Sequence, residues 1–288
     1  MNVTPSVTQI CYTNDIITYH IGFANYEYSE MMTLTFREKA LLAEKTARAA
    51  GEMLERHGAV HVRRKAENDF VTEMDIKSEN LIREMLLAAC PEDAFFGEEG
   101  GGEITARGRW VVDPIDGTAN FMRGQRLYTI SIAYEHEGEL VIGCVYCPGT
   151  DEMFVGVRGE GATCNGRPIH VSDVGRLRDA VVHIGFGHRN PEYLAETEPV
   201  LFPLLRAVSD LRRSGTAAYD LCCVAAGRAE AFIEQGLNLY DYAAGYVILT
   251  EAGGRLDAWR RGLDPLKTGS LLAGNGRVNA AIQQLLNP

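Results

Sequence analysis

The apolar pattern of this chain changes period part-way along, and that change leaves few architectures open. Residues 35–57 place Leu41, Leu42, Ala49, Met53 and Leu54 at three-to-four spacing in an Ala- and Glu-rich background, which predicts an amphipathic helix. Residues 75–90 repeat the pattern with Ile76, Leu81, Ile82, Met85 and Leu86, and Pro91 stops it. The period then shortens. Segments 109–112, 128–135, 140–145 and 153–157 are predicted strands, with Glu137-Gly138 as a hairpin signal and turns across 159–166 continuing a meander. The second half alternates strands at 180–184, 229–233, 255–257 and 270–272 with helices at 191–208, 217–226, 242–252 and 277–286. Helices with one apolar face must lie on sheets, so helix and sheet layers are expected throughout. Two lobes, about 34–165 and 166–288, are expected to meet near 150–175.

With 288 residues, 46% hydrophobic and 23% charged, the chain is long enough to bury a core without disulfides or a structural metal. The 28 Lys and Arg against 39 Asp and Glu give a net charge of −11. Nucleic acid and anionic membranes are held by positive fields, so direct nucleic-acid binding is not expected. An acidic enzyme acting on a phosphorylated substrate would need bound metal to reverse the local field. Seven cysteines in a long chain predict reduced thiols. Cys144 and Cys147 fall on one strand, where a spacing of three sends side chains to opposite faces, so they are expected as buried small hydrophobes.

The first 36 residues hold no Lys or Arg, which excludes the usual secretory and mitochondrial signals, and no apolar run approaches a bilayer span. A cytoplasmic protein without membrane attachment is expected. Residues 1–33 are expected as a weakly ordered N-terminal extension or as sequence upstream of a start at Met31 or Met32, with a docking arm for a partner as the alternative.

Carboxylates carry the chemical signal. Glu98-Glu99 follow the apolar run 94–97, and Trp110-Val111-Val112 leads into Asp113-Pro114-Ile115-Asp116-Gly117-Thr118. Two acidic strand ends within twenty residues offer the oxygen ligands that hard divalent cations take. If Thr118 opens a helix, the amides of Gly117 and Thr118 face a bound anion. Asp241 sits just before the predicted helix at 242, where it is either an N-cap or a further ligand. His183, alone in an apolar run, is expected as a core or edge residue.

Glu98-Glu99, the 113–118 run and Asp241-x-Ala-Ala-Gly245 together resemble the inositol monophosphatase family of Mg²⁺-dependent, lithium-sensitive phosphatases. The resemblance extends from about Thr35 to Leu286 through Lys65, Asn68-Asp69-Phe70-Val71-Thr72 leading to Asp75, and Gly161-Ala162-x-x-Asn165-Gly166. Gly215-Thr216-Ala217-Ala218, Glu234 and Glu251-Ala252-Gly253-Gly254 belong to it as well. It implies a layered αβαβα sandwich shared with fructose-1,6-bisphosphatases, over residues 34–288. It implies a first Mg²⁺ on Glu98, Asp113 and the carbonyl of Ile115, a second on Asp113, Asp116 and Asp241, and a third held loosely near Glu98. Thr118 and Asp75 would orient the attacking water, with Glu98 beside them. Glu99 would assist near the first metal, and Lys65 would lie near a closing loop. Asp116, Gly117, Thr118, Gly215, Thr216, Ala217, Glu234 and Asp241 would contact the substrate.

The family departs here at Tyr240, where a Trp is usual, and at Ala119, where many members have Thr. Inositol monophosphate is the leading expected substrate, ahead of fructose-1,6-bisphosphate, histidinol phosphate and 3′-phosphoadenosine 5′-phosphate. A homodimer is implied. The non-enzymatic alternative is a binding module associated with transcription.

Overall fold

The computed structural model describes residues 34–56, 62–66, 69–102, 107–187 and 190–287, with 62–66 and 69–72 described by backbone alone. The expectations for the leader, for Asn68 and for the Lys65 side chain lie outside the described residues.

Helix α1 (Phe36–Glu55) starts at a capping box in which Thr35 accepts from the Glu38 N–H and Glu38 reaches back. Strands β1 (Val62–Ala66) and β2 (Asp69–Thr72) form a small hairpin that the apolar pattern did not predict. Helix α2 (Glu73–Ala89) precedes an eight-stranded sheet made of β3 (Ala94–Gly97), β4 (Gly101–Gly102), β5 (Gly108–Asp116), β6 (Thr129–His136), β7 (Glu139–Cys147), β8 (Glu152–Val157), β9 (Gly161–Cys164) and β10 (Arg167–Pro168). The order is β10-β9-β8-β7-β6-β5-β3-β4, so the meander is local, and only β3 pairs in parallel with β5. A short helix, α3 (Thr118–Met122), interrupts the chain between β5 and β6.

The second half forms a five-stranded sheet. In chain order its parts are β11 (Val181–Ile184), α4 (Pro191–Ala207), β12 (Asp210–Arg212), α5 (Ala217–Ala225), β13 (Ala231–Glu234), α6 (Leu239–Glu251), β14 (Arg255–Ala258), α7 (Pro265–Thr268), β15 (Leu271–Gly274) and α8 (Asn279–Leu286). The order is β12-β11-β13-β15-β14, parallel on one side and antiparallel on the other. β12 and α7 are too short to leave a periodic signal, and the sequence reading missed both.

Three buried clusters make the layers. One joins α1 and α2 to the first sheet, one packs α5 and α6 between the two sheets, and one joins the second sheet to α4 and α8. The predicted αβαβα order is therefore the observed one.

Two features of the helix stripes differ from the sequence reading. Leu41 is 59% exposed and Ile76 44%; α1 instead buries Ala40, Ala43, Ala47, Ala50 and Leu54. Small residues allow close approach: a Cβ on Gly51 would come within 2.6 Å of the Tyr146 ring. The same holds for α6, since a Cβ on Gly143 would meet the Ala244 carbonyl at 2.1 Å. That contact seats α6, and with it Asp241, directly on the first sheet. Among the described residues no helix is long and apolar enough to cross a membrane.

Candidate active site

The acidic run begins inside β5 rather than after it. β5 extends to Asp116, and its register against β6 shifts between Asp113 (opposite Ser131) and Asp116 (opposite Thr129). One extra residue on β5 is a bulge, and it accommodates Pro114, which has no N–H for the ladder. The bulge has a geometric effect. In a regular strand residues three apart face opposite ways, but one inserted residue returns Asp113 and Asp116 to the same face. The Ile115 N–H donates to Asp113 Oδ1 at 3.0 Å, and Ser78 of α2 donates to the Pro114 carbonyl at 3.2 Å, holding the bulge. Gly117 then turns the chain at φ 91°, a conformation that favours glycine.

Glu98 follows β3, tied to β5 by its own N–H to the Val112 carbonyl at 3.1 Å. The turn after it is pinned by Glu79 of α2, which accepts from the N–H groups of Glu99 at 2.7 Å and Gly100 at 2.9 Å. Asp241 lies in the first turn of α6, which begins three residues earlier than predicted, with Asn238 as N-cap. The Asn238 N–H donates to Asp241 Oδ2 at 2.6 Å, so Asp241 caps its helix and still faces the cavity. The sequence offered Asp241 as N-cap or ligand; the N-cap is Asn238, and Asp241, three residues on, holds the N-cap's N–H from inside the first turn.

Asp116 Oδ2 is held at the start of α5, accepting from Thr216 Oγ1 at 2.6 Å, the Ala218 N–H at 2.8 Å and Thr129 Oγ1 at 3.4 Å. The nine-residue α5 thus directs its N-terminal dipole at a side chain of the protein itself. Thr118 opens the short helix α3, with Gly117 as its N-cap, and both residues line the cavity described below. The Thr118 hydroxyl lies 3.2 Å from Asp75 Oδ1 and 3.0 Å from the Ile115 carbonyl.

These groups surround one cavity of about 780 Å³. Glu98, Asp113, Ile115, Asp116, Gly117, Thr118, Gly215, Thr216, Ala217, Glu234 and Asp241 all line it. Asp75 reaches it through Thr118, whereas Glu99 is not among its lining residues. Residues that the sequence reading did not single out for this site are Thr129 and Asp220, together with Tyr193 near the start of α4. Asp220 had a legible signal, a lone carboxylate in the apolar α5. Arg213, seated over the Phe186 ring at 5.5 Å, is the one basic side chain among the described lining residues.

Burial raises the carboxyl of Asp113 well above its usual range, and the charges of Glu98, Asp116, Asp241 and Asp75 push it further. Asp241 is raised for the same reasons, burial first and then Asp116. Burial lifts Asp116 to about 6, against the bonds from Thr216 and Ala218 that favour its charge. Glu234 is pushed up to about 8 by burial and by Asp116 and Asp220, with Arg213 opposing. Its carboxylate rests on the bare Cα of Gly185, where a Cβ would come within 1.9 Å of Glu234 Cδ. Several carboxylates that raise one another's pKa, with a backbone carbonyl among them, form an all-oxygen donor set, and Arg213 is the one basic side chain among the described residues that line their cavity. That set fits hard divalent ions.

A profile of the inositol monophosphatase family matches residues 37–287. The Nus factor SuhB of Xylella fastidiosa is 37% identical over 252 residues, covering 84% of this chain and 92% of the relative. The inositol-1-monophosphatase of Rhizobium meliloti is 40% identical over 225 residues, covering 76% and 83%. The crystal structure of the extragenic suppressor protein suhB from Bartonella henselae superposes with a TM-score of 0.83 at 36% identity, covering 87% of this chain and 98% of that one. The acidic cavity between two mixed sheets therefore sits in a known framework: this chain belongs to the inositol monophosphatase family.

Proposed function

We propose that the protein is a Mg²⁺-dependent phosphomonoesterase, with inositol monophosphate as its leading substrate. The observation that carries this reading is the meeting of Glu98, Asp113, Asp116 and Asp241, from three separate elements, at the cavity that Thr118 also lines. Glu98, Asp113 and the Ile115 carbonyl would hold one ion, and Asp113, Asp116 and Asp241 a second, with a third looser ion near Glu98. When bound, Mg²⁺ lowers the pKa of a coordinated water and neutralises phosphoryl and leaving-group charge. Thr118 Oγ1 orients the water, and Asp75 Oδ1, 3.2 Å from that hydroxyl, takes up the proton. The backbone at Gly215, Thr216 and Ala217 borders the alcohol end of the cavity, where Glu234 accepts hydrogen bonds from hydroxyls.

The acceleration required of such a site is large, because phosphate monoesters are among the slowest biological molecules to hydrolyse. Lithium would compete for a Mg²⁺ position with half the charge and inhibit. A cytoplasmic homodimer completes the reading. Fructose-1,6-bisphosphate, histidinol phosphate and 3′-phosphoadenosine 5′-phosphate remain the rival substrates. A second reading, a module that works in transcription, is favoured by the relative named Nus factor SuhB.

Phosphate release from inositol 1-phosphate, the three rivals and an aryl phosphate, with and without Mg²⁺, tests both readings. The expected result is Mg²⁺-dependent release, fastest from inositol 1-phosphate. Folded protein that hydrolyses none of the panel would remove the enzymatic reading and leave the module.

A further inference from the structure

Three side chains on one face of α2 reach three of the chain segments that build the cavity. Asp75, Ser78 and Glu79 stand at i, i+3 and i+4, which sets them side by side on the helix. All three are buried. Asp75 Oδ1 lies 3.2 Å from the Thr118 hydroxyl, and Ser78 donates to the Pro114 carbonyl inside the β5 bulge. Glu79 takes the turn after β3, its Oε2 accepting from the Glu99 N–H at 2.7 Å and its Oε1 from the Gly100 N–H at 2.9 Å. Farther along α2 the same buried stripe continues as Ile82 and Leu86, which lie in the apolar core.

Glu79 does more than the turn needs for stability. Gly100 is exposed, and water could serve N–H groups at such a turn. They are bound instead by a carboxylate whose side chain is 3% exposed, and a buried charge is weak evidence for stability. Arg83, one helical turn on, donates to Glu79 Oε1 at 2.9 Å, and its guanidinium lies 4.1 Å from the centre of the Phe95 ring on β3. Two glycines make room for the pair: a Cβ on Gly97 would come within 2.3 Å of Glu79 Oε2, and one on Gly100 within 2.7 Å of Arg83 Nη2. Glu98 lies between those glycines. Its own N–H donates to the carbonyl of Val112, the residue before Asp113. The backbone that carries Glu98 is therefore held by β5 on one side and by α2 on the other.

We propose that Glu79 is a positioning residue for the metal centre: by holding the 98–100 turn, with Arg83 behind it, it fixes the direction in which Glu98 offers its carboxylate beside Asp113. The inference rests on Glu98 being a metal ligand. It gives a function to two residues that lie outside the cavity lining.

The test is Mg²⁺ binding by calorimetry on the full chain, with thermal melting and Mg²⁺-dependent turnover in parallel. Glu79→Gln puts an NH₂ group where one acceptor oxygen faced N–H donors. It is expected to weaken Mg²⁺ binding about tenfold, as loss of a group that orients a ligand does, with turnover partly restored as Mg²⁺ is raised. Lys39→Met breaks a buried pair with Asp93 outside the cavity lining and serves as the stability control: its melting temperature should fall while Mg²⁺ affinity stays within about twofold of wild type. Gly100→Ala keeps every partner but sets a methyl group against Glu79 and Arg83, and should weaken binding about threefold. Glu79→Gln binding Mg²⁺ within about twofold of wild type would overturn the proposal, as would Lys39→Met weakening it as much as Glu79→Gln does. If Glu79→Gln does not fold, Gly100→Ala decides by the same limit. Wild-type protein that binds Mg²⁺ but cleaves no monoester would sink the phosphatase reading alone, and the binding comparison would still decide this inference. Wild type that binds no Mg²⁺ would end both.

Discussion

Two buried polar clusters in this molecule have opposite designs. At the base of α1, Lys39 is 1% exposed and pairs with Asp93, and Tyr134 completes the triangle, 3.0 Å from the lysine Nζ and 2.8 Å from Asp93 Oδ1. Burial pulls the lysine's pKa down, but the bonds from Asp93 and Tyr134 outweigh it and the net shift is upward. Cys90, Glu92 and Asp93 are the one set of three ligand-type side chains with mutually close donor atoms among the described residues. The Lys39 ammonium already fills that space with positive charge. At the cavity no lysine or arginine among the described residues plays that part for Asp113, Asp116 and Asp241, and their pKa values rise. The first cluster closes its charge balance within the protein, whereas the second leaves it open, as the proposed Mg²⁺ site would require.

Substitutions should separate the two clusters. Asp116→Asn is expected to lower turnover by on the order of 10³-fold, about 4 kcal/mol of transition-state stabilisation, with the melting temperature unchanged or raised. Steady-state kinetics giving near-normal rates would erase the distinction. Lys39→Met should do the reverse. Leaving Asp93 buried and unpaired costs about 3–5 kcal/mol, read as a drop of roughly 10 °C in melting temperature, with activity per folded molecule retained. Mg²⁺ at 100 times its Kd should stabilise wild type by about 2.7 kcal/mol and Asp116→Asn by much less, measured by thermal shift against EDTA.

Glu234 sharpens the comparison by pH. Its folded pKa of about 8 lies above the 4.5 of an ordinary glutamate, so the folded state holds the proton more tightly than the unfolded one. Metal-free wild type should therefore lose stability as pH rises from about 4.5 to about 8, and Glu234→Gln should flatten that part of the melting curve. The same variant should raise KM for polyol phosphates about tenfold, the worth of one or two hydrogen bonds, and leave an aryl phosphate unaffected. Equal loss on both substrates would take Glu234 away from hydroxyl recognition. The smallest effect is expected from Thr129→Val, which removes a 3.4 Å contact to Asp116. Turnover should stay within about threefold, and a larger loss would mean that Thr216 and Ala218 do not hold Asp116 by themselves.

Two pairs with the same spacing show where the sequence stops being legible. Cys144 and Cys147 were expected on opposite strand faces and as buried hydrophobes. β7 is regular there against β8, both thiols are buried, and burial raises both above the usual thiol range. Asp113 and Asp116 are also three apart, yet the bulge turns them to one face. Pro114 was visible as a residue without a donor, but an extra residue in a ladder is a property of two strands. The exposed Leu41 teaches the same lesson, since periodicity marks a stripe but not which half of it meets the sheet.

The sequence by itself determined that helices and sheets form layers, because each apolar period admits one kind of element and each element one kind of partner, and the family resemblance supplied the αβαβα order. It also determined the chemistry of the site, because oxygen-only side chains beside a Pro- and Gly-bearing strand end restrict the ligands that could be held. Only the tertiary structure decided which oxygens face one another. The β5 bulge, the glycine contact that lowers α6 onto the first sheet and the turn before α5 are contacts between segments distant in sequence. Direction at a site is set by such contacts, whereas local preference sets only type.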